Sequence, residues 1–300
     1  MKDEMSKISR RDFMRGAACA AIGTALPLSV FAEEETKAAK HMSKAVLVRH
    51  PDVVTKTGSI KDEIVQKMLD DAINELFGTD KAVDAWQMIV KPNDIVGVKS
   101  NVWAYLPTPA EVENAISQRL MDAGVKKENI GIDDRGVLDN EIFKNSTALI
   151  NVRPLRAHHW SGIGSCIKNY VMFDPEPWSY HDNYCANLAT AWDLPIAKGK
   201  TRLNILVLLT PQFHIMGPHH YDPKFTWQYN GILVGTDPVA LDSIGIEIMQ
   251  KQRDIYFEEH RTIQPIPHHV YFAQTKYNLG IADLNQIELV KLGWEEGVLV

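Results

Sequence analysis

The chain has 300 residues, 45% of them hydrophobic and 23% charged, with a formal net charge of −6. That is the balance of an ordinary globular protein with one large domain or two modest ones. No basic stripe accompanies the charge, which argues against nucleic acid as a partner; three cysteines without any Cys-x-x-Cys argue against a cysteine-ligated iron–sulfur cluster.

The first 32 residues read as a targeting segment. Ser9-Arg10-Arg11-Asp12-Phe13-Met14 precedes a Gly- and Ala-rich apolar run ending at Val30-Phe31-Ala32, the pattern of a twin-arginine export signal peptide. The run is too short and Gly-interrupted for stable membrane insertion. Losing its five positive and three negative side chains takes the net charge from −6 to −8. Resemblance to this signal class implies a chain carried already folded by the twin-arginine export machinery to the periplasm or another extracytoplasmic space, often with a cofactor in place. Cys19 leaves with the signal, and Cys166 and Cys185 remain, either as a disulfide or as two buried thiols.

Residues 33–43 are a polar linker, and residues 44–300 form a single α/β domain in this reading. Residues 45–48 are the first strand. Ser59 caps a helix whose stripe is Ile64, Met68, Leu69, Ala72, Ile73 and Leu76, closed by Gly78. A strand at 95–99 follows the Lys91-Pro92-Asn93-Asp94 turn and ends at Ser100 and Asn101. Thr108-Pro109-Ala110-Glu111 reads as a capping box opening a helix with Val112, Ile116, Leu120 and Ala123 on one face. Strands at 129–132 and 147–152 come next, the first ending in Asp133-Asp134-Arg135. Alternating strand and helix predicts a mostly parallel sheet with helices on its faces in Rossmann-like layers.

The stretch 149–171, LINVRPLRAHHWSGIGSCIKNYV, concentrates the polar chemistry. Its apolar start fits a buried strand, and the Gly-spaced segment after His158 and His159 reads as entry into a helix. At helical spacing Ser161, Gly164, Ser165 and Lys168 share a face, and unpaired amides at a helix start attract phosphate or carboxylate. Gly162 belongs to the same anion- or cofactor-binding turn. Long excursions follow at 172–200 and 210–231, the second carrying His214, His219, His220 and Asp222. Between and after them lie strands at 203–209 and 232–234. Asp237 then caps a helix with Pro238 at its first position, Asp242 one turn in and Gly245 packed closely. His268 and His269 precede a last strand at 287–292.

Three His-His pairs invite a metal reading, although adjacent residues on a strand point to opposite faces, so each pair offers one side chain to a shared site. No zinc-motif spacing is present. The candidate ligands are His158, His214, His219 and Asp133, and the candidate catalytic groups are His158, His159, Lys168 and Asp242. The metal and any other cofactor stay unidentified.

Read with AGVKKENIGIDDRG upstream and GILVGTDPVALDSIG downstream, this stretch resembles the bacterial family known as domain of unknown function 362, over about residues 44–295. The shared features fall here on Pro154, Arg156, His158, Gly162, Lys168 and Asn169, and on the run from Asp237 to Asp242. Some members carry a ferredoxin-like cluster domain whose cysteines this chain lacks. A fainter similarity is to the amino-terminal domain of the nickel-pincer lactate racemase family. It implies a proton shuttle or nickel ligand at His158 or His159 and a lysine-held cofactor at Lys168, although the family's Gly-Gly is replaced by Ser165-Cys166-Ile167. The leading expectation is an exported metal- or cofactor-dependent enzyme acting on a small anionic substrate. The alternatives are a non-catalytic extracytoplasmic ligand-binding or scaffold protein and a racemase-like proton-transfer enzyme.

Overall fold

The computed structural model describes residues 42–217 and 220–300. The stretch read from sequence as an export signal, most of the expected linker and His219 lie outside the described residues. The strands are β1 (Ser43–Arg49), β2 (Val96–Lys99), β3 (Ile130–Asp133), β4 (Ala148–His158), β5 (Gly162–Gly164), β6 (Thr201–Gln212), β7 (Gly231–Gly235) and β8 (Ile287–Gly293). The helices are α1 (Asp62–Phe77), α2 (Ala82–Ile89), α3 (Ala110–Asp122), the single turn α4 (Glu141–Lys144), α5 (Pro238–Phe257) and α6 (His268–Thr275).

The sheet runs β3-β2-β4-β6-β7-β1-β8, with β5 paired to the end of β4. The β3/β2, β2/β4, β4/β6 and β1/β8 pairs are parallel, and β7 is antiparallel to both neighbours. The expected α/β architecture, a mostly parallel sheet with helices on its faces, is therefore present. Apolar residues on each face build a separate core. Val65, Met68, Leu69 and Ile73 of α1 join Trp86 and Ile116 on one face, while α5 packs Val239, Leu241 and Ile244 with Tyr170 and Trp192 on the other.

Several local expectations hold and several shift. Gly78 closes α1 in the left-handed region, and Asp237 caps α5 by accepting from Val239 N and Ala240 N. A Cβ on Gly245 would stand 3.1 Å from Leu206, which is the close packing that position needs. Ser59 does not cap α1, which starts at Asp62. Thr108 makes no capping box either: its Oγ1 accepts from Asn101 N at 3.2 Å, and Pro109 is the N-cap of α3. The excursion at 172–200 is a chain of 3₁₀ turns, Pro177–Cys185 and Leu188–Asp193 following Ile167–Phe173.

The central turn differs most. Residues 162–164 are not a helix entry but the return strand of a hairpin, pairing Arg156 with Gly164 and His158 with Gly162. Gly162 has φ +76°, and a Cβ there would lie 2.2 Å from Pro265 O, so the left-handed turn and the close approach both require glycine. We expect Gly162→Ala to cost about 2 kcal/mol or more in urea unfolding.

Candidate functional site

The connection from β2 leads through α3 to β3 on one side, and the connection from β4 leads to β6 on the other. Such a reversal between two adjacent parallel strands opens a crevice at their carboxyl ends, where open α/β sheets bind ligands. A cleft of about 440 Å³ occupies that place, lined among others by Asn101, Trp103, Asp134, Arg153, Arg156, His158, Lys168 and His181.

Arg153 and Arg156 reach it from one strand. Three residues apart, they belong on opposite faces of a regular strand. The shift in register between Pro154 and Arg156, at a proline that has no N–H to donate, turns the strand so that both line the cleft. Both are buried, at 3% and 8% exposure. Among the described residues their Nε atoms have no hydrogen-bond partner. The nearest acceptors are weak: Ser165 O lies 3.5 Å from Arg153 Nη1 and Ala157 O 3.4 Å from Arg156 Nη1. The Arg156 guanidinium lies over the Trp103 ring at 4.1 Å. Among the described residues neither arginine has a carboxylate partner. Gly164 is where a Cβ would meet Arg153 Nη2 at 2.7 Å, so the glycine makes room for the guanidinium. Burial lowers both arginine pKa values, Arg156 further through repulsion from Arg153. A guanidinium nonetheless keeps its proton throughout the usable pH range.

The carboxylate at the cleft is already engaged. Asp134 Oδ1 lies 2.5 Å from Lys99 Nζ, and its Oδ2 accepts from Val102 N at 2.9 Å. Burial opposes the charged carboxylate, but the Lys99 ammonium and this N–H hold it below the ordinary range. Asn169 Nδ2 donates to Lys99 O, Asn151 Oδ1 and Val152 O. Asn151 Nδ2 donates on to Asn204 Oδ1, and Asn204 Nδ2 to Thr236 O. This amide ladder crosses β4 and β6 beneath the cleft and ties its floor to the residue before the α5 cap.

Lys168 and the histidines complete the wall. Lys168 Nζ is 3.0 Å from His181 Nε2, and His181 Nδ1 is 3.1 Å from Trp178 O. A carbonyl only accepts, so Nδ1 carries the ring proton and Nε2 presents a lone pair to the amine. Burial lowers Lys168 to about 7 against the pull of Cys185, with Arg153 and Arg156 lowering it further. His158 Nδ1 accepts from Trp160 N and Ser161 N at 3.3 Å each, which leaves its proton on Nε2. Burial, then Lys168 and the two arginines, push its pKa well down, so the ring is neutral.

The sequence-derived candidates divide. His158 and Lys168 meet in the cleft, whereas His159 is exposed beside Trp160. Of this pair, only the His158 ring lines the cleft. Ser161 Oγ donates to Ile163 O inside the hairpin. The amides of Cys166 and Ile167, which a helix start offers to an anion, are occupied by Asp242 Oδ1 and Oδ2 at 2.8 and 2.9 Å. The free amides of the turn after the hairpin are therefore taken by the protein's own carboxylate, and Gly162 and Gly164 belong to a paired strand rather than to a helix start. Asp242 acts as a fully buried clamp. Asp133 closes the turn after β3 by accepting from Asp134 N, Gly136 N and Asn140 Nδ2, and His214 Nδ1 faces Arg253 Nη1 at 2.9 Å. Neither lines the cleft with His158, and among the described residues no three His, Cys, Asp or Glu side chains gather as a metal-binding group. Cys166 and Cys185 are free buried thiols.

Burial raises Asp242 from 3.8 to about 6. Its folded pKa lies above its unfolded one, so the stability it contributes is full below about pH 4 and lost as pH rises through about 6. Asp242→Asn should flatten that decline, read as urea midpoints at about pH 4 and pH 6.

The family model described as a domain of unknown function (DUF362) matches residues 96–247. That span runs from the first residue of β2 into α5 and holds every cleft residue discussed above. No curated protein and no solved structure gives a significant match.

Proposed function

The chain belongs to the DUF362 family, and from that premise we propose that its cleft binds a small anionic molecule and exchanges a proton with it. The observation that carries this reading is the pair of buried arginines without carboxylate partners on one wall of an open cleft. A buried unpaired charge is expensive, and an incoming carboxylate or phosphate relieves two at once through charge-assisted, bidentate hydrogen bonds. Acidic competition is weak because Asp134 is neutralised by Lys99 at 2.5 Å. The proton-transfer pair is Lys168 and His181, whose Nζ to Nε2 contact at 3.0 Å joins an amine that titrates near neutrality to a ring lone pair.

The same cations set the ligand's sign. A metal cation held by His158 would sit among Arg153, Arg156 and Lys168, the groups that already depress the ring's pKa. The expected metal set at His158, His214, His219 and Asp133 therefore forms no part of this proposal. We further place the ligand outside the cytoplasm, on the strength of the Ser9-Arg10-Arg11-Asp12-Phe13-Met14 motif. Replacing Arg10 and Arg11 by lysines should leave the protein in the cytoplasmic fraction, and unchanged export would sink this placement.

The binding reading is tested by melting curves with pyrophosphate, citrate and phosphate against chloride at equal ionic strength. A concentration-dependent rise is expected for at least one multivalent anion. It should weaken as pH rises through about 7, where Lys168 loses its charge. No rise with any of them would overturn the reading.

A further inference from the structure

Lys168 differs from the other cations of the cleft in what surrounds it. It is 4% exposed, and among the described residues it has no carboxylate partner. Its Nζ faces a histidine nitrogen turned towards it as an acceptor, because the opposite ring nitrogen is committed to Trp178 O. An ammonium meant only for charge would be served by a carboxylate. An amine beside a lone pair is placed to lose its proton, and burial next to two guanidinium groups favours the neutral form further. The same cleft carries Arg153 and Arg156, so a carboxylate gripped there brings its neighbouring carbon to the amine.

We propose that Lys168 is a nucleophile that condenses with the carbonyl group of a small 2-oxo acid to form an imine. This rests on the anion-binding reading and names the substrate class for that site. Lys168 gives its ammonium proton to His181 Nε2, and the freed nitrogen pair attacks the carbonyl carbon as the carbon–oxygen π pair moves to oxygen. The nitrogen, left positive by the attack, passes one of its protons to that oxygen to give the neutral carbinolamine and regain its electron pair. The proton held on His181 Nε2 then goes to the same oxygen, which leaves as water while the nitrogen pair closes the C=N bond to give the protonated imine. One C=O is lost, one C=N formed and one water released, with no change in oxidation state. His158, with its proton on Nε2, is a neutral donor on the same wall for the departing oxygen.

The experiment is reductive trapping. Full-length protein is incubated at pH 7 with pyruvate or 2-oxoglutarate plus cyanoborohydride, digested and mapped by mass. The expected result is a gain equal to the acid less one oxygen atom, concentrated on the Lys168 peptide. The yield there should be at least about tenfold above that on exposed lysines such as Lys67 and Lys198. It should collapse on prior denaturation, in Lys168→Arg and in Arg156→Met. The peptide map of the wild-type protein decides the matter even if a variant folds poorly. Stabilisation by anions without an adduct at Lys168 overturns the imine and leaves the binding reading standing. Absence of both removes both.

Discussion

Replacing Arg156 with methionine should make the ligand-free protein more stable and remove its response to anions. The Arg156 side chain is 8% exposed, its Nε has no partner among the described residues, and its guanidinium meets Ala157 O at 3.4 Å and the Trp103 face at 4.1 Å. Methionine keeps the apolar stem and the contact with the ring while deleting a charge that the fold does not compensate. Relief of this kind at a binding site is worth about 1–2 kcal/mol, or about 2–4 °C in melting temperature for a domain of this size. With anion present the order reverses. Wild-type protein at 100 times Kd gains about 2.7 kcal/mol, and the variant gains little because half of its grip is gone. Arg153→Met should behave alike. Crossed melting curves, with the variant above wild type without anion and below it with anion, are the expected signature. A variant that melts lower in both conditions would mean that the arginine is a structural brace.

How much of this site was legible in the sequence follows from how each part is built. The parallel sheet could be read because its helices carry clean signals: the α1 stripe closed by Gly78 and the Asp237-Pro238 start of α5. The short helix α2 (Ala82–Ile89) left no such mark, since eight residues with a β-region lysine as N-cap offer no capping signal. Strand β4 reads from sequence as ending at Val152 because Arg153, Pro154 and Arg156 break the apolar run. It continues to His158 because those polar residues face the cleft. Arg153 was invisible as a site residue, and Arg156 entered only through the family resemblance, because a three-residue spacing on a strand normally separates two side chains. The proline and the register shift beside it reverse that. His181 could not be paired with Lys168, because a chain of 3₁₀ turns has no simple periodicity. The Gly162-x-Gly164 spacing supports a hairpin as readily as a helix entry. The signal that distinguishes them is the ring of His158, which captures the amides of residues 160 and 161 and closes a turn.

Removing the carboxylate of Asp134 should be the most damaging single change in the cleft. Lys99 is fully buried, and among the described residues its Nζ has, besides Asp134, only Ser100 O at 2.8 Å and a long contact to Asn169 Oδ1 at 3.4 Å. Asp134→Ala strands that ammonium, and breaking a buried pair from one side costs about 3–5 kcal/mol. It also frees Val102 N, which Asp134 Oδ2 holds, and so loosens the loop carrying Trp103, the ring beneath Arg156. The anion response should therefore weaken even at temperatures where the variant is folded. The double variant Lys99→Met/Asp134→Leu removes both charges and should recover most of the stability but not the anion response, since Val102 N stays untethered. The coupling in this double-mutant cycle should exceed about 1.5 kcal/mol. Acid unfolding supplies an independent check on the same pair. Asp134 has a folded pKa below its unfolded one, so its contribution is present above the unfolded value of about 3.8 and is lost as pH falls through the folded one. Wild-type protein should lose stability steeply below about pH 4, and Asp134→Ala should show a shallower slope there. Equal slopes would mean that the folded state does not depress the Asp134 pKa, and the Lys99 pairing would then not be what holds the carboxylate charged.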